Sequence, residues 1–248
     1  NLNAMLTCSE EVKEILSADT QRVLNDLRDQ MAGLRNSLRG GLTSAPEQDL
    51  DPLVTTLLAL AGLGQASMIR GMDWVFLHLG RNLEKSLQTT ILLRALLVPD
   101  LDDADQAVIL EAALLTAEML ITYRRRYRAH ADVGHGLELL MFDDSNPRAL
   151  LYQMKQLGEY LERLPAQVDA GAGLSPAQRC MVEALTAVQL SEPAKLVATD
   201  HLHPRRQHLD QMLIRVQRLL ETLAATINDQ YFDHQIAGRQ LIGGKDGP

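Results

Sequence analysis

The stretch Met72-Asp73-Trp74-Val75-Phe76-Leu77-His78-Leu79-Gly80-Arg81-Asn82-Leu83-Glu84-Lys85-Ser86-Leu87-Gln88-Thr89-Thr90-Ile91-Leu92-Leu93-Arg94-Ala95-Leu96-Leu97-Val98 decides the fold. Phe76, Leu79, Leu83, Leu87, Ile91 and Ala95 recur at spacings of three and four, which puts them on one side of a helix of about 3.6 residues per turn. Pro99 lacks the amide that another turn needs and ends the run. Beside the apolar line, Arg81, Glu84 and Gln88 follow one another at three and four, with Lys85 alongside. That polar seam reads as a local ion pair or as a contact surface for a partner or ligand.

Working outward, the same periodicity recurs on both sides. Upstream, Ile15, Leu16, Val23, Leu24, Leu27, Met31, Leu34 and Leu38 form an amphipathic stripe that Ser17 and Thr20 break or re-cap. Gly40-Gly41 and Pro46 mark a loop, and Asp51-Pro52 reads as an N-cap with proline at the first position of a helix reaching about Arg70. Downstream, Asp100, Asp102, Asp103 and Asp105 open a helix expected to reach Tyr127, their charge favoured at its positive end. Gly134 and Gly136 read as a break before the apolar run Leu137 to Phe142. Asn146 reads as N-cap and Pro147 as first residue of a helix to Leu164. After Gly171-Ala172-Gly173, Ser175-Pro176 caps a helix to Leu190, and Pro193 and Pro204 frame an irregular link. Leu209, Leu213, Val216, Leu220, Leu223 and Ile227 line a last long helix. With no period-two alternation, the class is an all-α helical bundle of six to eight helices, several long. Residues 1–237 read as one domain and 238–248 as a disordered tail.

Composition narrows what such a bundle can do. Hydrophobic residues are 46% of the chain but aromatics only 4%, so the core is aliphatic. A net charge of -8 argues against sequence-independent DNA binding. Cys8 and Cys180 stand alone, without metal or disulfide spacing, as expected of a reducing cytoplasm. The longest apolar stretches, Leu53 to Leu63 and Thr89 to Val98, are too short or too interrupted to cross a membrane.

The motifs that carry chemistry are few. The tail Gly238 to Asp246 resembles a phosphate loop but has Gly244 where lysine belongs. The aspartates after Pro99 fail as a calcium loop at Ala104 and Asp105. No glutamate is followed by histidine three residues on, as a di-iron bundle requires, and His201 with His203 supply only two ligands, so neither metal nor cofactor is expected. Arg124, Arg125, Arg126 and Arg128, with Tyr123 and Tyr127, suit a helix C-terminus or a site for an anion or RNA. Glu111 and Glu118 lie in an otherwise apolar segment, which predicts buried carboxylates paired with Arg81 and Arg94. No residue set reads as a self-sufficient catalytic site.

The run Gly71 to Lys85, containing Leu79-Gly80-Arg81-Asn82-Leu83-Glu84-Lys85, resembles the Leu-Gly-Arg-x-x-Glu-Arg setting of the Alpha-E family, a helical domain named for its Glu-Arg motif. Glu14 to Asn25, Tyr123 to Tyr127, Leu139 to Arg148 and Leu161 to Pro165 resemble further family blocks in the same order. Lys85 stands where the family has arginine, which keeps the charge but loses the bidentate fork. An earlier copy of the Gly-Arg and Glu-Arg helix is missing, so with Asn1 first the chain reads as the later portion of a longer protein. The resemblance implies a non-catalytic accessory module that works with an ATP-grasp-type ligase in peptide or amide-bond synthesis or modification, with a transglutaminase-like protein as a further partner. Two alternatives stand beside it: an enzyme using Glu84, Glu111 or Glu118 as acid or base beside Arg81, and an anion or RNA binder using the arginine cluster.

Overall fold

Helix periodicity is realised along the described residues. The computed structural model describes residues 2–39, 46–128, 131–165, 173–199 and 204–232. They form α1 (Leu2–Glu11), α2 (Ala18–Arg39), α3 (Pro46–Ser67), α4 (Met72–Leu97), α5 (Asp103–Thr116), α6 (Leu120–Tyr127), α7 (Val133–Leu137), α8 (Leu150–Glu162), α9 (Pro176–Gln189), α10 (Pro193–Val197) and α11 (Gln207–Tyr231). A 3-10 turn over Lys13–Ile15 and a π-helical turn over Glu138–Phe142 complete the set. The protein is all-α, and no strand occurs among the described residues. None of the described helices is long and apolar enough to cross a membrane. The tail Gly238 to Asp246, His201, His203 and the glycine loops at 40–41 and 171–172 lie outside the described residues.

Contacts divide the chain into two compact units, Asn1–Trp74 and Val75–Pro248. In the first, α2 packs on α3 around Leu6, Leu24, Leu27 and Leu53. Ser17 caps α2, its hydroxyl accepting from the Thr20 amide at 3.2 Å. Pro52 is not a first helical residue: α3 begins at Pro46, so Pro52 falls in the second turn and removes one bond, to exposed Gln48. The helix stops at Ser67, short of Arg70, whose guanidinium donates to the carbonyls of Gln65 and Met68.

The second unit holds the larger core. Leu209, Leu213, Val216, Leu220, Leu223 and Ile227 are buried along α11, which packs on α9, itself packed on α8. Each such burial contributes about 1.5–3 kcal/mol. The capping box of α9 is complete: the Ser175 hydroxyl accepts from the Gln178 amide at 3.2 Å, and the Gln178 side chain accepts from the Ser175 amide at 2.9 Å.

Helix α4 corrects the line drawn on it. Its buried face is Val75, Leu79, Ser86, Thr90, Leu93 and Leu97, while Ile91 is 45% exposed and Ala95 is also exposed. Steps of four from Leu83 onward turn about 400° each and drift off a face that repeats every 3.6 residues. Ser86 and Thr90 disguised the true face. The Thr90 hydroxyl is satisfied by the Ser86 carbonyl at 2.7 Å.

The helix expected from the aspartates to Tyr127 is two helices. Asp102 caps α5, accepting from the amides of Ala104 at 3.1 Å and Asp105 at 2.9 Å. After Thr116 the chain turns through a Schellman motif: the Met119 amide donates to the Leu114 carbonyl at 2.7 Å and the Glu118 amide to Leu115 at 2.9 Å. Glu118 holds the left-handed position, φ 57°, that glycine usually takes. Glu118→Gly therefore relieves about 1 kcal/mol of strain and gives back only the exposed pair that Glu118 makes with Arg148, worth about 0.2–1 kcal/mol. In urea unfolding, Glu118→Gly is expected to be the most stable, the unaltered chain next and Glu118→Ala the least, since alanine keeps the strain and loses the pair.

Gly134 and Gly136 do not break helix; both lie inside α7, and a Cβ on Gly136 would come within 2.5 Å of Leu110 Cδ1. The segment passes directly into the π-helical turn, closed by the Asp143 amide on the Glu138 carbonyl at 2.9 Å. Asn146 does not cap a helix at Pro147. Its buried amide nitrogen donates to the Leu139 carbonyl at 2.8 Å, its oxygen accepts from the Arg148 amide at 3.0 Å, and α8 starts three residues later. The link between Pro193 and Pro204 contains α10, and helices this short, with α6 and α7, raise the count to eleven among the described residues.

Candidate functional site

Glu84, Lys85 and Gln88, the seam residues that follow Arg81, share a pocket in the second unit. Its volume is about 240 Å³, and α4 provides one wall with Thr89, Leu92 and Leu93. Thr116 and Ala117 at the end of α5, Leu140 of the π-helical turn, Arg148 and Gln153 form the rest. Gln153 fixes the far wall: buried at 3% exposure, it accepts from the Thr89 hydroxyl at 3.1 Å and donates to the Arg148 carbonyl at 3.1 Å. The loop carrying Arg148 is thereby tied to α4 by a residue 64 positions from Thr89.

The seam is not the ion pair of its simplest reading. Glu84 accepts from the Gln88 side chain at 3.0 Å, and among the described residues neither Arg81 nor Lys85 forms an ion pair. Lys85 is half-buried, and its pKa is pushed below the ordinary 10.5 by burial first, then by the positive charges of Arg81 and Arg148. Arg148 leans the other way as well, donating to the Glu118 carboxylate just past the end of α5. A strained residue thus holds one of the pocket's cations.

Glu111 and Glu118 are exposed rather than buried, and neither takes Arg81 or Arg94. Glu111 accepts from Arg124 at 2.8 Å and Glu118 from Arg148, while Arg94 donates through Nε to Asp210 at 2.6 Å. The reason is that α5 is not buried all round: Val108, Glu111 and Leu115 share an exposed face, and the helix ends at Thr116, before Glu118. The three glutamates are therefore not gathered in one cavity, and Glu84 is the single carboxylate in the pocket lining among the described residues.

The arginine cluster divides in the same manner. Arg124, Arg125, Arg126 and Arg128 are all exposed, but Arg124 is engaged by Glu111 and Arg126 by Asp143 at 2.5 Å. Burial alone would raise the Asp143 pKa, but hydrogen bonds from Ser145 and Arg126 hold it below its ordinary value. Tyr123 serves structure, its hydroxyl accepting from the Asp132 amide at 2.9 Å. Among the described residues no three His, Cys, Asp or Glu side chains are grouped to hold a metal.

The sequence singled out Glu84, Lys85 and Gln88 but not Thr89, Thr116 or Gln153, and it used Arg148 only as part of a family block. Proline and asparagine before Arg148 signalled a turn; nothing local could say that the turn lands on α4.

Comparison with known proteins bears on the whole chain. The profile of the Alpha-E family, described as a predicted alpha-helical domain with a conserved ER motif, matches residues 1–232. The one contiguous Glu-Arg dipeptide here is Glu162-Arg163, exposed at the end of α8; the seam carries Glu84-Lys85. An uncharacterized protein of Mycobacterium tuberculosis is 29% identical over 232 residues, which cover 90% of this chain and 25% of that protein. An uncharacterized protein of Mycobacterium bovis is 32% identical over 170 residues, covering 68% of this chain and 18% of the relative. The chain thus spans a quarter or less of the length of these relatives. No solved structure matches it.

Proposed function

This chain belongs to the Alpha-E family, and on that premise we propose that it is a non-catalytic, cytoplasmic interaction module that holds an acceptor for an ATP-grasp-type ligase in peptide or amide-bond synthesis or modification. The ligase supplies the ATP chemistry; a transglutaminase-like protein is a second partner. The observation that supports this reading is the seam pocket, where Lys85 and Arg148 join an apolar floor and Glu84 is the only carboxylate among the described lining residues. Glu111 and Glu118, the other carboxylates of the acid–base alternative, lie outside the lining of this pocket and are each engaged by an arginine. The RNA-binding alternative is disfavoured on the same ground, because Arg124 and Arg126 already have carboxylate partners.

Affinity capture from lysate of the source cell, with mass-spectrometric identification, tests the proposal. An ATP-grasp-type ligase is expected on the wild-type chain and is expected to be lost with Arg81→Glu, a charge reversal at the exposed edge of the seam. Capture that never contains such a ligase removes the proposal, and capture that is indifferent to Arg81→Glu removes the seam as its contact.

A further inference from the structure

We propose that the pocket between α4, the end of α5 and the start of α8 binds a carboxylate carried on a small apolar body, with Lys85 as its anchoring cation and Arg148 as its second. The inference rests on the accessory reading for where this ligand comes from, and names the acceptor's recognised group. A pocket of about 240 Å³ lies below the roughly 300–1,000 Å³ of sites for drug-sized ligands, so it admits a single residue or a fragment of that size. Leu92, Leu93, Leu140 and Ala117 give it an apolar floor, which a bare phosphate would leave unused and a short aliphatic chain would cover.

Charge sets the other end. Lys85 is half-buried, lines the pocket and has no carboxylate partner among the described residues, an arrangement that leaves its ammonium short of a counter-charge. Arg81 lies one helical turn earlier on α4 and Arg148 lies in the opposite wall, so the field at Lys85 is positive from both sides. An anion entering here pairs with Lys85 and offsets the repulsion it feels from Arg81 and Arg148, while the Glu84 carboxylate in the same lining, held by the Gln88 amide, opposes it. Arg148 is shared: it is held by Glu118, whose backbone sits in the left-handed region, and an incoming carboxylate competes with Glu118 for the same guanidinium. Gln153 keeps the Arg148 backbone fixed while the side chain changes partner. The hydroxyls of Thr89 and Thr116 donate to Gln153 and to the Ala112 carbonyl, which leaves their oxygens as acceptors for the N–H of an amide neighbouring the carboxylate, as in an acylated amino acid or the last residue of a peptide.

The test is a titration of the chain followed by NMR, with N-acetyl-leucine, N-acetyl-leucinamide, a leucine-terminated tripeptide and inorganic phosphate as the four probes. N-acetyl-leucine is expected to bind saturably and to shift resonances of Lys85, Ala117 and Leu140. The neutral amide and phosphate are each expected to bind at least about tenfold more weakly, the amide for want of a charge-assisted bond and phosphate for want of the apolar contact. Lys85→Met is expected to weaken N-acetyl-leucine by about tenfold or more and Lys85→Arg to restore most of it. Should Lys85→Met fail to fold, Arg148→Gln gives the same reading from the opposite wall. Equal binding of acid and amide, phosphate as tight as the acid, or no binding by any probe overturns the proposal. Tripeptide binding at least as tight as the free acid identifies a peptide C-terminus as the source; a tripeptide excluded while the acid binds identifies a free small acid. Because the titration contains no ligase, binding without ligase capture overturns only the accessory reading, and ligase capture without binding overturns only the pocket's ligand.

Discussion

Arg206→Ala is expected to lower the unfolding free energy by about 3 kcal/mol, near the lower end of what removing one partner of a buried charged network costs. The Arg206 side chain is 7% exposed, and it seals the C-terminal end of α4 from a distant part of the chain. One terminal nitrogen donates to the carbonyls of Leu97 at 3.2 Å and Pro99 at 2.6 Å; the other donates to Asp100 Oδ1 at 3.1 Å. Helix ends leave carbonyls without intrahelical donors, and a cation there also meets the negative end of the helix dipole. The backbone repeats the connection, the Arg206 amide donating to the Val98 carbonyl at 2.9 Å and the Asp100 amide to Pro204 at 3.0 Å. Burial pulls the Arg206 pKa below its ordinary value, and the Asp100 charge opposes that fall. Alanine leaves buried acceptors without a donor, and Asp100, with 32% of its side chain exposed, recovers only part of its hydration. Arg206→Lys keeps the charge but not the planar fork, so it is expected to fall between the two. Equilibrium urea unfolding checks the order; a loss below about 1 kcal/mol for alanine, the scale of an exposed pair, shows that the cap is not a stabilising one.

Gly136 and Leu110 are expected to be coupled. A Cβ at Gly136 would meet Leu110 Cδ1 at 2.5 Å, and Leu110 is 1% exposed with the core behind it, so the leucine has little room to yield. Gly136→Ala should therefore cost about 1–3 kcal/mol by overpacking, and Leu110→Ala about 2–5 kcal/mol by opening a cavity. In the double variant the new methyl occupies part of that cavity, so its cost should fall short of the sum of the singles by about 1 kcal/mol or more. Strict additivity in urea unfolding would falsify the contact.

Long-range pairing separates the features that were legible in the sequence from those that were not. The face of α11 was read correctly because Leu209 to Ile227 carry the helical period in apolar residues with no polar interruption. On α4 the period was right and the face was not, because Ser86 and Thr90 lie buried where apolar residues were sought. The break between α5 and α6 left no local signal, since Glu118 takes a conformation normally marked by glycine, while Gly136, which looked like a break, is a helical glycine chosen for contact with Leu110.

By itself the sequence determined the helical class, most helix ends that rest on a cap, and three polar residues of the pocket on one turn of α4. These follow from interactions between residues a few positions apart, where spacing alone decides geometry. Only the tertiary structure decided which carboxylate each arginine meets, why Glu111 and Glu118 stay exposed, and how Arg148 and Gln153 close the pocket opposite Lys85. Arg124–Glu111, Arg148–Glu118, Thr89–Gln153 and Arg94–Asp210 join residues 13, 30, 64 and 116 positions apart, and a separation of that kind is fixed by how helices pack and where a left-handed residue turns the chain, neither of which is written in any short window of residues.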